Sequence, residues 1–137
     1  MGRMALSNEI DRARRSDGRF MLAFVDVDGL KGVNDRDGHA AGDRVLQSVT
    51  EAIRSRLRSF DPIVRYGGDE FVCGLGGTDL AEAHHRFIEI GEAIEDDAHV
   101  GISVGLATLG PADTVEELTE RADAAMLAVK AQHHSRV

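Results

Sequence analysis

The chain has 137 residues, 42% of them apolar and 29% charged, which fits one globular domain with a modest core. Its formal net charge of −8 argues against a groove for nucleic-acid backbone, which needs clustered Lys and Arg, and a polyanionic small ligand here would need metal cations to help hold it. No apolar run approaches the ~20 residues of a membrane span, the opening MGRMALSNEIDRARRSD lacks a signal-peptide core, and the single cysteine, Cys73, excludes a disulfide framework, so the cytoplasm is the default compartment.

In chain order, residues from about Met4 to Ser16 read as a helix with Met4, Ile10 and Ala13 apolar. Arg12, Arg14 and Arg15 make a solvated basic face near its C-terminus, where the helix dipole favours cations. Arg19 to Val27, RFMLAFVDV, is a near-continuous apolar run and predicts a central strand covered on both faces. From about Ala40 to Leu57, Val45, Leu46, Val49, Ile53 and Leu57 recur at helical spacing. Ile63 to Tyr66 and Phe71 to Leu75 read as short strands joined at Gly67-Gly68, a hairpin signal because primed turns need positive φ. A helix is expected from about Asp79 to Glu95, a short loop over Glu95 to His99, a strand over Val100 to Leu109, and a helix from roughly Val115 to Ala131. The tail from His133 to Val137 gives no pattern. The order α-β-α-β-β-α-β-α predicts an α/β (α+β) sandwich with a largely antiparallel sheet, in one domain over residues 1–137.

The strand RFMLAFVDV ends in Asp26-Val27-Asp28, and the hairpin carries Asp69-Glu70. If the hairpin lies beside that strand, Asp26 and Asp69 converge at one sheet end. Convergent carboxylates repel unless a cation joins them, and hard oxygens suit Mg²⁺ with substrate phosphates. That pattern suggests two-metal phosphoryl transfer, with Gly67 and Gly68 letting the backbone approach a nucleotide closely. A solvent-exposed acidic turn accounts for the same residues.

The run DVDGLKGVNDRDGHAAGDRVL, Asp26 to Leu46, adds a second constellation. Lys31 follows the strand end, where an ammonium could meet phosphate. Guanine presents two adjacent donors, N1–H and the N2 amine, beside the O6 acceptor. The Asp43 carboxylate matches the donors and the Asn34 amide can donate to O6, with His39 nearby. Turn and cap chemistry is the competing account of Asn34-Asp35, Gly38 and Gly42-Asp43.

Together these stretches resemble the GGDEF-domain family, the diguanylate cyclases. Gly67-Gly68-Asp69-Glu70-Phe71 is the name motif, and DVDGLKGVNDRDGHAAGD resembles the family pattern D-x-D-x-x-K-x-x-N-D-x-x-G-H-x-x-G-D at every defined position. The resemblance implies a nucleotidyl cyclase-like, palm-type fold. It also implies condensation of two GTP molecules into cyclic di-GMP with release of pyrophosphate, in a homodimer whose two half-sites face each other. It implies Mg²⁺ (or Mn²⁺) held by Asp26, Asp69, Glu70 and the Val27 carbonyl, with Asp69 assisting deprotonation of the attacking 3′ hydroxyl. Asn34 and Asp43 would bind guanine, with His39 in the pocket, and Lys31 and Lys130 would bind phosphate. Arg58-Ser59-Phe60-Asp61 resembles the family's R-x-x-D inhibitory product site, to which Arg58 and Asp61 would contribute; an ordinary helix-end arginine before a turn is the alternative. The further product-binding arginine that the family often takes from the next helix is not identified: Glu89 lies near the expected position and Arg86 one turn away.

The sequence departs from the family in three places. Only Met1-Gly2-Arg3 precedes MALSNEI, so most of the family's opening D-x-L-T-G-L-x-N-R segment is absent. The family often carries an extra hairpin near Glu95 to His99. Where it often has K-x-x-G-R-N, this chain has Lys130-Ala131-Gln132-His133-His134-Ser135, with Arg136 beyond. The shortened N-terminus, and His134 where the family has an arginine, support a second reading, a GTP or cyclic di-GMP binding module without turnover. His84, His85, His133 and His134 lack i, i+4 ligand spacing and read as surface residues. A sensor or dimerising domain is the expected partner if the chain is part of a longer protein.

Overall fold

The structure is a computed structural model that describes residues 2–16 and 18–135; the expectation for Arg136 lies outside the described residues, as does the side chain of His134. Its elements are α1 (Gly2–Arg15), β1 (Phe20–Val27), α2 (Leu30–Asp37), α3 (His39–Arg56), β2 (Ile63–Arg65), β3 (Glu70–Gly76), α4 (Leu80–Ala98), β4 (Ile102–Thr108) and α5 (Val115–Ser135). The four strands form one sheet in the order β2-β3-β1-β4, and every pairing is antiparallel. This is the palm-type arrangement expected from the sequence.

β1 is central and buried along its whole length, as its apolar run predicts. Alternation divides its side chains between two cores. Met21, Ala23, Val25 and Val27 pack with α2, α3 and α4, through residues such as Val33, Val49 and Ile90. Phe20, Leu22 and Phe24 pack with α1 and α5, through Leu6, Ile10, Leu118, Ala122 and Met126. Asp26 continues the second stripe beyond its apolar end.

Four local expectations are corrected. The segment between β1 and the helix expected from about Ala40, for which no helix was expected, contains α2, which begins after Gly29 at φ 74°, a conformation that glycine adopts without strain. Its two buried apolar residues, Leu30 and Val33, are too few to show a period. The loop expected over Glu95 to His99 is instead the end of α4, which stops where His99 takes a left-handed conformation and its N–H bonds Glu95 O. α5 runs on beyond Ala131 to Ser135, into the stretch from His133 that gave no pattern. The hairpin between β2 and β3 is present, but neither Gly67 nor Gly68 is among the positive-φ glycines, which are Gly29, Gly38 and Gly77. The loop closes with Tyr66 N donating to Glu70 O at 2.8 Å, so residues 67–69 span it in place of a two-residue primed turn.

Candidate active site

β1 ends where it meets the hairpin. Asp26 is opposite Glu70 on one side and Ser103 on the other, and Val27 N donates to Asp69 O at 2.9 Å. That pairing brings Asp26, Asp69 and Glu70 together, with one carboxylate oxygen from each lying within 4.8 Å of the others. The convergence expected from the sequence is therefore present, and Glu70 belongs to it directly.

The cluster is electrostatically expensive. Burial pushes the Asp26 carboxyl above its ordinary range, and the Asp69 charge adds to this, while the hydrogen bond from Lys130 opposes both. Burial, then Asp69 and Asp26, push Glu70 up as well. Lys130 Nζ donates to Asp26 Oδ2 at 2.6 Å, and this bond raises the lysine's own pKa. Asp26 is only 2% exposed, so the ammonium is the counter-ion that makes its charge tolerable. Three hard oxygens gathered around one strand end, with an ammonium already drawn to them, fit a divalent cation such as Mg²⁺ or Mn²⁺.

Beside the acids lies a pocket of about 310 Å³, lined by Leu30, Lys31, Asn34, His39, Gly42, Asp43, Leu46, Arg65, Gly68 and Asp69. The structure thus gathers Lys31, Asn34, His39 and Asp43 around the Asp69 turn. α2 supplies Lys31 and Asn34, and α3 supplies His39 and Asp43. Gly42 lets the two helices close: a Cβ there would lie 1.7 Å from Asn34 Oδ1. Lys130 is expected at phosphate but stands on Asp26 instead.

The Arg58–Asp61 pair lies elsewhere, and its groups are engaged within the protein. Asp61 is 2% exposed; its carboxylate accepts from Arg58 N at 3.0 Å and from Gly76 N at 3.5 Å. Arg58 Nη1 donates to Gly76 O, and the guanidinium lies 5.9 Å from the centre of the exposed Phe60 ring. Arg54 braces the same turn by donating to Arg58 O and Asp61 O. Arg86 is held by Glu82 at 2.7 Å.

Sequence reasoning missed four side chains at the sheet end. Arg65 donates from Nη2 to Gly68 O at 2.8 Å and from Nε to Gly67 O at 3.3 Å. Asp28 accepts from the buried Ser103 hydroxyl at 2.8 Å, and His133 Nδ1 lies 3.2 Å from Asp28 and 3.0 Å from Ser103 Oγ. His133 is a surface residue, as expected, yet it is tied to the site. Arg65 stands two residues before the Gly67–Phe71 motif and carried no separate signal. The Asp28–Ser103 contact spans 75 positions that only the β1–β4 pairing brings together.

The family model described as "Diguanylate cyclase, GGDEF domain" matches residues 3–136. The chain is 38% identical over 135 residues to the bifunctional diguanylate cyclase/cyclic di-GMP phosphodiesterase MucR of Pseudomonas aeruginosa, covering 93% of this chain and 20% of that protein. It is 34% identical to the diguanylate cyclase DgcS of Shewanella oneidensis, covering 93% of this chain and 44% of that protein. The chain therefore spans less than half the length of these relatives. Among solved structures, a microbial GGDEF domain studied with cyclic di-GMP superposes with a TM-score of 0.86 at 35% identity, covering 95% of this chain and 82% of that one. The GGDEF domain of DgcB from Caulobacter crescentus, in complex with c-di-GMP, gives 0.86 at 27% identity, covering 93% and 81%.

Proposed function

Since this chain belongs to the GGDEF family of diguanylate cyclase domains, we propose that it condenses two GTP molecules into cyclic di-GMP with release of pyrophosphate. The observation that carries the reading is a cluster of three convergent carboxylates, Asp26, Asp69 and Glu70, of which Asp69 also lines the polar pocket that contains Asn34 and Asp43.

In this reading Asn34 and Asp43 bind the guanine edge, His39 borders the base, and Lys31 faces the phosphates. Asp26, Asp69, Glu70 and the Val27 carbonyl would hold Mg²⁺ or Mn²⁺. When bound, the ion supplies neutralisation of phosphate charge and acidifies the attacking hydroxyl. Asp69 accepts the 3′ hydroxyl proton, and Gly67 and Gly68 keep the turn open to the nucleotide. Lys130 moves from Asp26 to phosphate when the nucleotide arrives. Phosphoryl transfer asks mainly for positioning and charge stabilisation, and a pocket of about 310 Å³ positions one base. The second GTP comes from a facing copy, so the active species is a homodimer. Arg58 and Asp61 form a product site once Arg58 leaves Gly76. The domain works in the cytoplasm, where a sensor or dimerising domain of a longer protein would control pairing; no helix among the described residues is long and apolar enough to cross a membrane.

The test is pyrophosphate release with product identification from concentrated protein given GTP and Mg²⁺, compared with Asp69→Ala. Cyclic di-GMP made by the wild type and lost in the variant supports the cyclase. Nucleotide binding without any product, in an enforced dimer, refutes it and leaves a GTP or cyclic di-GMP binding module.

A further inference from the structure

We propose that Arg65 is a positioning residue, which fixes the Asp69 turn through the backbone. The inference rests on the reading of Asp69 as a metal ligand.

The loop from Gly67 to Asp69 needs such a brace. Its base is fixed by Tyr66 N on Glu70 O and by Val27 N on Asp69 O. Its outer part is two consecutive glycines, the residues with the greatest backbone freedom. A Cβ at Gly68 would meet nothing within 4 Å, so side-chain packing does not hold that residue. The Arg65 guanidinium reaches both glycine carbonyls from the last residue of β2, with Nη2 on Gly68 O at 2.8 Å and Nε on Gly67 O at 3.3 Å. A planar fork with two fixed donors suits two adjacent carbonyls; a lysine ammonium, as a point charge, does not fix both in one plane. Asp69 follows directly, so the fork sets where its carboxylate meets those of Asp26 and Glu70. Arg65 is itself exposed and contributes little to either core, which separates positioning from folding.

The experiment compares wild type, Arg65→Ala and Arg65→Lys on three readouts. Mn²⁺ binding is measured by electron paramagnetic resonance with the metal alone. Binding of a fluorescent GDP is measured in chelator, and melting temperature is recorded. Partners that orient metal ligands change affinity by about 10- to 100-fold when removed. Arg65→Ala should weaken Mn²⁺ by that factor and melt like the wild type, and, because Arg65 also lines the nucleotide pocket, GDP affinity in chelator should fall by a clearly smaller factor than Mn²⁺ affinity. Arg65→Lys should fall between them. Unchanged Mn²⁺ binding would overturn the proposal. So would a parallel loss of GDP affinity in chelator, which would make Arg65 a nucleotide contact. If Arg65→Ala fails to fold, Arg65→Lys decides by the same two affinities. Should the wild type bind no Mn²⁺ and make no cyclic dinucleotide, the reading of the site fails. If it does both and the variants match it, positioning alone fails.

Discussion

Gly42→Ala separates folding from nucleotide recognition, because the two should move in opposite directions. Gly42 is buried in α3 and does not need positive φ, so alanine suits its backbone. Replacing an interior helical glycine gains up to about 1 kcal/mol. The new Cβ would lie 1.7 Å from Asn34 Oδ1 and 2.8 Å from its Cγ, against 3.4 Å for ordinary contact. The colliding atoms are the far end of a flexible side chain, so the amide swings away and the helices stay in place. An amide turned from guanine O6 forfeits a hydrogen bond and leaves a polar group unpaired, about 1–3 kcal/mol. That corresponds to a GDP affinity about 5- to 150-fold weaker. The assays are thermal melting and titration with fluorescent GDP and ADP. The variant should melt at or above the wild type, bind GDP more weakly and discriminate less against ADP. A double variant with Asn34→Ala should be no worse than Asn34→Ala alone, since both act through one amide. Wild-type GDP affinity in Gly42→Ala, or full additivity in the double variant, would refute Asn34 as a reader of guanine.

Lys130→Met removes the counter-ion of a buried carboxylate. Because the lysine is about one-third exposed, the loss in the metal-free protein should be about 1–2 kcal/mol, below that of a fully buried pair, and Mg²⁺ should restore more stability to the variant than to the wild type, read by melting with and without the ion. Glu70→Gln should be the more stable protein near neutral pH without metal. The Glu70 pKa is raised on folding, so its contribution to stability is complete below about pH 4.5 and is lost as pH rises through the raised value; a glutamine does not ionise, and melting curves from pH 4 to 7.5 should diverge upward in its favour. Asp61→Ala should cost about 1–3 kcal/mol by denaturant unfolding, because its buried carboxylate accepts from Arg58 N and Gly76 N, whereas Arg58→Ala should stay within about 0.5 kcal/mol and weaken product inhibition.

The sheet was legible because its signals are local. From Phe20 to Val25 the run FMLAFV is apolar at every step up to Asp26, and this alone places it at the centre with helices on both faces. The acids were legible for a related reason: antiparallel pairing of β1 and β3 necessarily sets the strand end against the hairpin. α2 was less so. Its eight residues bury only Leu30 and Val33, and its glycine and asparagine are turn formers. The third strand of the site, β4, was foreseen as a strand but not as the source of Ser103, because partners across a sheet leave no mark on sequence spacing. Lys130 was placed at phosphate by resemblance. The contact with Asp26 instead reflects the charge that the buried carboxylate requires when only protein groups are at hand. The R-x-x-D spacing showed Arg58 and Asp61 near one another but not that both are already engaged.

The acid end of β1 is governed from the face of the sheet where α5 lies, and the cause is a glycine far from either motif. At Gly105 the α5 backbone packs directly on β4: a Cβ there would sit 2.1 Å from Ala122 O and 2.2 Å from Met126 N. Only a residue without a side chain permits that approach. Once the helix is that low, Met126 fills the core below Phe24, and Lys130, one turn further on, comes over the strand end to meet Asp26. His133, almost one turn beyond, meets Asp28, two residues after Asp26 and just past the end of the strand. Helix and strand therefore run in register, Lys130 over Asp26 and His133 over Asp28, because their apolar residues have already fixed the register beneath them. A side chain at position 105 would lift α5 and withdraw Lys130 from Asp26, although it touches neither. The reach of the site into the fold is set by this packing, and the acidic motif is its exposed end.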